Sequence, residues 1–332
     1  GQAPARQAGL AAGVPVTTAC TTVNKMCGSG LETICLAHDR LVAGRCGWIL
    51  AGGMESMSNA PYLLQKARGG YRMGHGELLD HMMLDGLEDA YEGKAMGLYA
   101  EQAAAEFAVS REQQDEFAAE SVRRAQEAVK QNRFQQEIVP VQVTNRKGTS
   151  NIAEDEPPSR CDIDKIPQLK PAFLKDSGTV TAATSSSIAD GAAAVLMTTE
   201  SNAVAAQLPI LVRICGYASY AGKPSRFTSA PIHAIDKLQR ELAWRPSEVD
   251  LYEVNEAFAV VAVIAMRELK LSREQLNVNG GAVALGHPIG ASGARIVTTL
   301  IHALMARNLT RGIACLCIGG GEALAIAFQR AR

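Results

Sequence analysis

Residues 28–56, "GSGLETICLAHDRLVAGRCGWILAGGMES", are echoed by residues 290–323, "GASGARIVTTLIHALMARNLTRGIACLCIGGGEA". Each stretch runs through a Gly-Ser-Gly or Ser-Gly turn, an amphipathic helix, a basic turn, an apolar strand, a glycine pair and a glutamate. In the first, Leu31, Ile34, Cys35, His38, Leu41 and Val42 fall at helical spacing, and Gly44 suits a C-terminal cap. "GWILAGGMES" then reads as a short buried strand ending in a glycine turn. Turn, helix and strand in that order is α/β logic, and its recurrence marks a duplication. Two βαβ units facing each other bring their glycine turns together.

Between the copies, residues from about Ser58 to Ser177 differ in character, with methionines, most of the tyrosines and many charges. "SREQQDEFAAESVRRAQEAVKQ" predicts a helix capped by Ser110, with Glu112 and Gln113 in its first turn. "GTSNIAEDEPPSRCDIDKIPQLKPAF" is polar and proline-rich, which predicts an extended surface loop. The region reads as an inserted subdomain, after which "GAAAVLMTT" and "PILVRICGYAS" resume the sheet pattern.

The 332 residues are 47% hydrophobic and 20% charged, with a formal net charge of −1. That length buries a large core and suggests about two domains. The balance argues against nucleic acid as a partner, so any basic site is local. Cys20, Cys27, Cys35, Cys46, Cys161, Cys215, Cys315 and Cys317 lie scattered through apolar runs without a CxxC pair. They read as reduced thiols of a cytoplasmic protein, mostly core filler. No apolar run approaches the ~20 residues that cross a bilayer, so no membrane is expected. The start "GQAPARQAGL" shows no signal-peptide core, and it is compatible with truncation and a lost targeting segment.

Four segments put a reactive or polar side chain at the end of an apolar element beside glycine or a turn, where α/β folds build ligand sites. Cys27 in "NKMCGSG" precedes Gly28 and Gly30, and the following helix points its N-terminal N–H groups at the sulfur, which lowers a thiol pKa. A buried inert thiol would read the same way. His287 in "GHPIGASG" sits among Gly286, Pro288 and Gly290, as a base for a thiol, a donor to an oxyanion, or a cap for the helix that follows. Cys317 precedes Gly319 to Gly321, whose bare N–H groups suit an oxyanion hole, while Cys315 faces the same side as packing. Asn255 in "EVNEAF" suits a water anchor, a donor to a carbonyl oxygen, or an Asx turn.

Taken together, "VNKMCGSG", "AGGMESMSNAP", "VNEAF", "NVNGGAVALGHPIGASGAR" and "LCIGGGEA" resemble the thiolase family, the acyl-CoA acetyltransferases that make or cleave 3-ketoacyl-CoA in fatty acid metabolism. The match covers nearly the whole chain in one order. It implies a duplicated thiolase fold, two βαβαβαββ halves in five α-β-α-β-α layers. Residues 1–58 and 178–206 would form the N-terminal half, 59–177 an inserted loop domain, and 207–332 the C-terminal half. Cys27 would be the nucleophile, His287 its activator, and Cys317 the acid/base at the α-carbon. His287 with an Asn255-held water would form one oxyanion hole, and the N–H groups of Cys27 and Gly319 the other. Ser186 would touch the pantetheine, with Met96, Phe173, Phe227, Ala257 and Phe258 along its channel and Arg160 and Lys165 near the nucleotide phosphates. The resemblance further implies coenzyme A and acetyl-CoA as substrates, no tightly bound cofactor, no metal, and a homodimer or homotetramer.

Where many biosynthetic thiolases carry a His-Met pair, this chain reads Ala95-Met96, and "TSSSIADG" replaces the usual Asn-Ala-Ser run. The family also begins with a strand, helix and strand ahead of "GQAPARQAGL", so the N-terminal half is expected to be truncated. A 3-ketoacyl synthase or an inactive acyl-CoA-binding relative are the alternatives, and Cys317 argues against the synthase.

Overall fold

In the computed structural model, which describes residues 1–146 and 148–331, the echo becomes two crossed helices between two sheets. The N-terminal half contains α1 (Pro4–Ala11), α2 (Ser29–Val42) and β1 (Trp48–Ser56). Then come α3 (Met96–Glu106), α4 (Arg111–Lys130), a hairpin of β2 (Val141–Asn145) and β3 (Gly148–Ile152), and β4 (Asp190–Thr198). The C-terminal half runs β5 (Val212–Ala221), α5 (Ala230–Glu241), β6 (Leu251–Val254), α6 (Ala259–Glu268), α7 (Ile289–Ala306), β7 (Arg311–Ile318) and β8 (Glu322–Arg330). Its sheet has the order β5-β8-β7-β6, with β8 antiparallel to both neighbours and β6 parallel to β7. β1 pairs antiparallel with β4, from Trp48 opposite Thr198 to Ser56 opposite Asp190. Among the described residues neither strand has a further partner.

Period-two alternation in β7 builds two cores at once. Ile313, Cys315 and Cys317 join the core that holds residues of α3, α5 and α6, while Ala314, Leu316 and Ile318 join the core built around α2 and α7. Burying each large aliphatic side chain contributes about 1.5–3 kcal/mol. α7 lies between the sheets, against β1 and β4 on one side and β6 and β7 on the other. It crosses α2 where both copies of the echo have glycine. A Cβ on Gly30 would stand 2.7 Å from the Ala294 nitrogen, and one on Gly293 2.3 Å from the Leu31 nitrogen. Only hydrogen fits at either point.

Three expectations need correction. α7 is long and apolar enough to cross a membrane by length and composition, but it is 72% buried in the protein. It is a core helix. β1 is only half-buried, with Trp48, Leu50 and Met54 exposed, because one face and one edge lack cover. The segment read as an extended loop contains β3, a turn of helix at Glu156–Arg160 and a tighter one at Ile163–Gln168, the latter capped by the Asp162 side chain. α4 starts as its sequence dictates: Ser110 accepts from the Gln113 N–H, and the Gln113 side chain returns the bond. α4 packs on the C-terminal half, against α6 and against the helical turn Ala282–Leu285.

Candidate active site

Cys27 stands in a tight turn, Met26–Gly28, that runs directly into α2. Met26 holds a left-handed φ of 49°, unusual for a side-chain-bearing residue, while its N–H donates to Asn24 Oδ1 at 2.9 Å. Strain of this kind concentrates at functional sites. Gly28 packs closely on Ile318, whose Cδ1 would lie 2.5 Å from a Cβ placed there. The turn is thereby seated on the end of β7. Burial pushes the Cys27 thiol up to about 11, against the lowering by the Gly319 and Cys27 N–H groups, and Glu55 adds repulsion. This reverses the expected lowering: desolvation of the sulfur outweighs the helix N-terminus.

His287 is buried, and its backbone N–H donates to the Ser187 carbonyl at 2.9 Å. Nδ1 meets Ser292 Oγ, whose single proton is donated to the Pro288 carbonyl at 2.9 Å. With that proton on the carbonyl, Ser292 Oγ accepts from Nδ1–H, the tautomer that leaves the Nε2 lone pair free. Nε2 is buried without a partner. Burial, with Arg295 nearby, pulls the imidazole down to about 4, so it is neutral at physiological pH. The ring does not cap α7, which has no side-chain cap.

Cys317 is fully buried, and its thiol is raised well above the ordinary range, first by burial and next by Cys27. The chain turns after it through Gly320 and Gly321, both left-handed at φ 87° and 88°. A Cβ on Gly321 would sit 2.5 Å from the Lys223 carbonyl oxygen. Asn255 leaves β6 with its N–H on the Cys315 carbonyl at 2.9 Å. Its side-chain oxygen and nitrogen are both buried and unpartnered, which argues against an Asx turn and for a ligand or water facing them.

The loops meet pairwise. A Cβ on Gly30 would also lie 3.0 Å from the Gly290 carbonyl oxygen, so the Cys27 and His287 loops touch at their glycines. Gly319 stands beside Met26, with Met26 Sδ 3.6 Å and Met96 Sδ 3.9 Å from where its Cβ would be. Phe258 packs edge-on to Phe173 at 6.1 Å and lies 6.5 Å from Phe227. With Ala257, Met96 and Cys317 they share one apolar cluster. Ser186 donates its N–H to the Ala257 carbonyl at 3.0 Å, which lays the serine run along this wall. Arg160 and Lys165 are exposed instead, and Lys165 Nζ pairs with Asp162 at 2.9 Å.

Sequence reasoning missed the residues that hold these groups. Glu256, fully buried, accepts from Ser121 Oγ at 2.7 Å, Asn277 Nδ2 at 2.7 Å and the Val283 N–H at 3.1 Å. It ties α4 to the loops on either side of Asn255 and His287. Glu256 and Ser292 lay inside motifs already singled out, and a polar residue in an apolar run was the available signal.

Comparison with known proteins gives the family and the fold. The thiolase N-terminal domain model matches residues 1–201 and the thiolase C-terminal domain model residues 208–330. An acetyl-CoA acetyltransferase of Escherichia coli is 48% identical over 332 residues, covering 99% of this chain and 84% of that protein. A probable acetyl-CoA acetyltransferase of Dictyostelium discoideum is 46% identical over 331 residues, covering 99% of this chain and 80% of that one. The crystal structure of the Acat5 thiolase from Ascaris suum in complex with coenzyme A superposes with a TM-score of 0.93 at 41% identity, over all of this chain and 84% of that one. Two family models in series, near-complete coverage and a shared fold lead to one conclusion: the chain belongs to the thiolase family.

Proposed function

We propose that this protein transfers an acetyl group between coenzyme A thioesters through Cys27, condensing two acetyl-CoA molecules or cleaving a 3-ketoacyl-CoA with CoA. The observation that carries the reading is a set of buried polar atoms without a protein partner, both side-chain atoms of Asn255 and Nε2 of His287, in a protein whose Cys27 and Cys317 thiols lie close enough to perturb each other.

In acylation, His287 Nε2 takes the Cys27 proton as Sγ attacks the thioester carbon. With thiol and imidazole at about 11 and about 4, the resting pair is neutral, and the proton moves with the attack rather than before it. The carbon–sulfur bond to CoA breaks, and the departing CoA sulfur takes the proton back from Nε2. In the second half, Cys317 Sγ takes an α-proton from a second acetyl-CoA as its own thiol proton passes to His287 Nε2, which later returns it to Cys27 Sγ. The resulting carbanion attacks the acetyl carbon, the bond to Cys27 Sγ breaks, and that sulfur is reprotonated. The N–H groups of Cys27 and Gly319 face the charge of the acyl intermediate, and protonated His287 with an Asn255-held water faces the enolate oxygen. Stabilising that oxygen is the main electrostatic task, and the two-step route predicts ping-pong kinetics. The pantetheine would run along Ser186, Met96, Phe173, Phe227, Ala257 and Phe258.

The test is thiolysis of acetoacetyl-CoA followed by its absorbance. Cys27→Ala should lose on the order of 10⁴-fold or more. A Cys27→Ala protein that keeps wild-type rates would sink the reading. The same reading takes the protein as a homodimer or homotetramer, supported by exposed Tyr62, Leu64, Met73 and Leu78 after β1; light scattering showing a monomer at assay concentration would overturn that part.

A further inference from the structure

Both copies of the echo close on Gly-Gly-x-Glu: Gly52-Gly53-Met54-Glu55 and Gly319-Gly320-Gly321-Glu322. In each case the glutamate leaves its own half and bonds to the other. Glu322, the first residue of β8, forms an ion pair with Lys25 at 2.5 Å. Lys25 stands two residues before Cys27. Its N–H donates to Ser29 Oγ at 2.8 Å, and that hydroxyl donates to the Met26 carbonyl at 2.7 Å, so a fix on Lys25 is a fix on the cysteine turn. Glu55, near the end of β1, accepts the Gly290 N–H at 2.9 Å in the first turn of α7, three residues beyond His287. The fit is close: a Cβ on Gly290 would lie 3.0 Å from Glu55 Oε2, and one on Gly53 2.1 Å from the Gly290 carbonyl oxygen.

We propose that Glu55 and Glu322 are a duplicated pair of positioning residues, each crossing between halves to hold the other half's catalytic loop. Glu322, through Lys25, sets where Cys27 Sγ stands against the Gly319 N–H. Glu55, through Gly290, sets where His287 Nε2 stands against Cys27. The inference rests on the acyl-transfer reading for the identity of those loops. A purely structural role would look different: both side chains of the Lys25–Glu322 pair keep solvent contact, so the pair contributes little to stability. Its effect belongs on geometry.

The experiment uses the full chain in five forms: wild type, Glu322→Gln, the swap Lys25→Glu with Glu322→Lys, Glu55→Gln and Glu55→Ala. Three quantities are read in each: melting temperature, kcat and KM of thiolysis, and the pH profile of Cys27 alkylation by iodoacetamide, located by peptide mapping. Glu322→Gln should lower kcat by about 10- to 100-fold with KM within about threefold, since an ångström of misplacement suffices for that. The swap should recover most of the loss. Glu55→Gln keeps an acceptor for Gly290 and should lose less kcat than Glu55→Ala. Because Glu55 repels a thiolate at Cys27, both Glu55 variants should move the alkylation profile to lower pH. If Glu322→Gln leaves kcat and Cys27 alkylation within about twofold of wild type, the pair positions nothing. If melting temperature and activity fall together and the swap restores neither, the role is structural and the proposal fails. Alkylation reports loop geometry whether or not the enzyme turns over, whereas a wild type that never acetylates Cys27 defeats only the acyl-transfer reading.

Discussion

Ser292 favours one tautomer of His287: with its hydroxyl proton on the Pro288 carbonyl, its oxygen accepts from Nδ1–H and leaves Nε2 free. Ser292→Ala removes that constraint and leaves Nδ1–H buried without a partner. We expect kcat to fall by roughly tenfold with substrate KM little changed, a split that steady-state kinetics would reveal. The low pKa of His287 has its own consequence. The base is already deprotonated at neutral pH, so kcat/KM should hold as pH falls to about 5 and decline only toward the imidazole value of about 4. An acid limb centred near 6.5 would mean that His287 is solvated or is not the base. Cys27, His287, Cys317 and Asn255 were all legible as candidates, because reactive side chains beside glycines are rare enough to notice. Their protonation was not. Helix-dipole reasoning sees the local N–H groups but not the side chains from other elements that desolvate the sulfur.

At the scale of elements, the α2–α7 crossing is where the two halves pack backbone against backbone. Gly30→Ala or Gly293→Ala pushes a methyl group against backbone rather than a yielding side chain, at 2.7 Å and 2.3 Å. Each should destabilise by about 1–3 kcal/mol or more, visible as a lowered midpoint in urea. The double mutant should lose less than the sum, since one separation of the helices relieves both clashes. Unchanged midpoints would place the helices further apart than described. Helix α4 with its Ser110 cap, and the strand–glycine–glutamate pattern, could be read from sequence because caps and period-two burial are local. The half-exposure of β1 could not, because a strand's cover comes from elsewhere in the chain.

For the whole molecule, stability should depend on pH through a buried carboxylate. Glu253 in β6 is fully enclosed, and burial outweighs the Arg295 guanidinium 3.9 Å away, raising its pKa from 4.5 to about 8. Between those values the folded protein holds a proton that the unfolded chain has released. Stability contributed by the neutral acid is therefore full below about 4.5 and is lost as pH rises through about 8. Glu253→Gln should remove this slope, so that its melting temperature gains on wild type between pH 5 and pH 8.5, by the equivalent of about 1–3 kcal/mol. A constant difference across that range would show the carboxyl to be solvated. The duplicated architecture was legible because both copies keep the same order of elements. The ties between them were not: Glu55–Gly290 and Lys25–Glu322 join residues 235 and 297 positions apart, a separation no local pattern spans. The whole account depends on one covalent event, formation of an acetyl thioester at Cys27. Mass spectrometry after incubation with acetyl-CoA alone should find one acetyl group on the Cys27 peptide, in wild type and in Cys317→Ala, and none in Cys27→Ala. An acetyl group on any other residue, or thiolysis proceeding with Cys27 never acetylated, would contradict it.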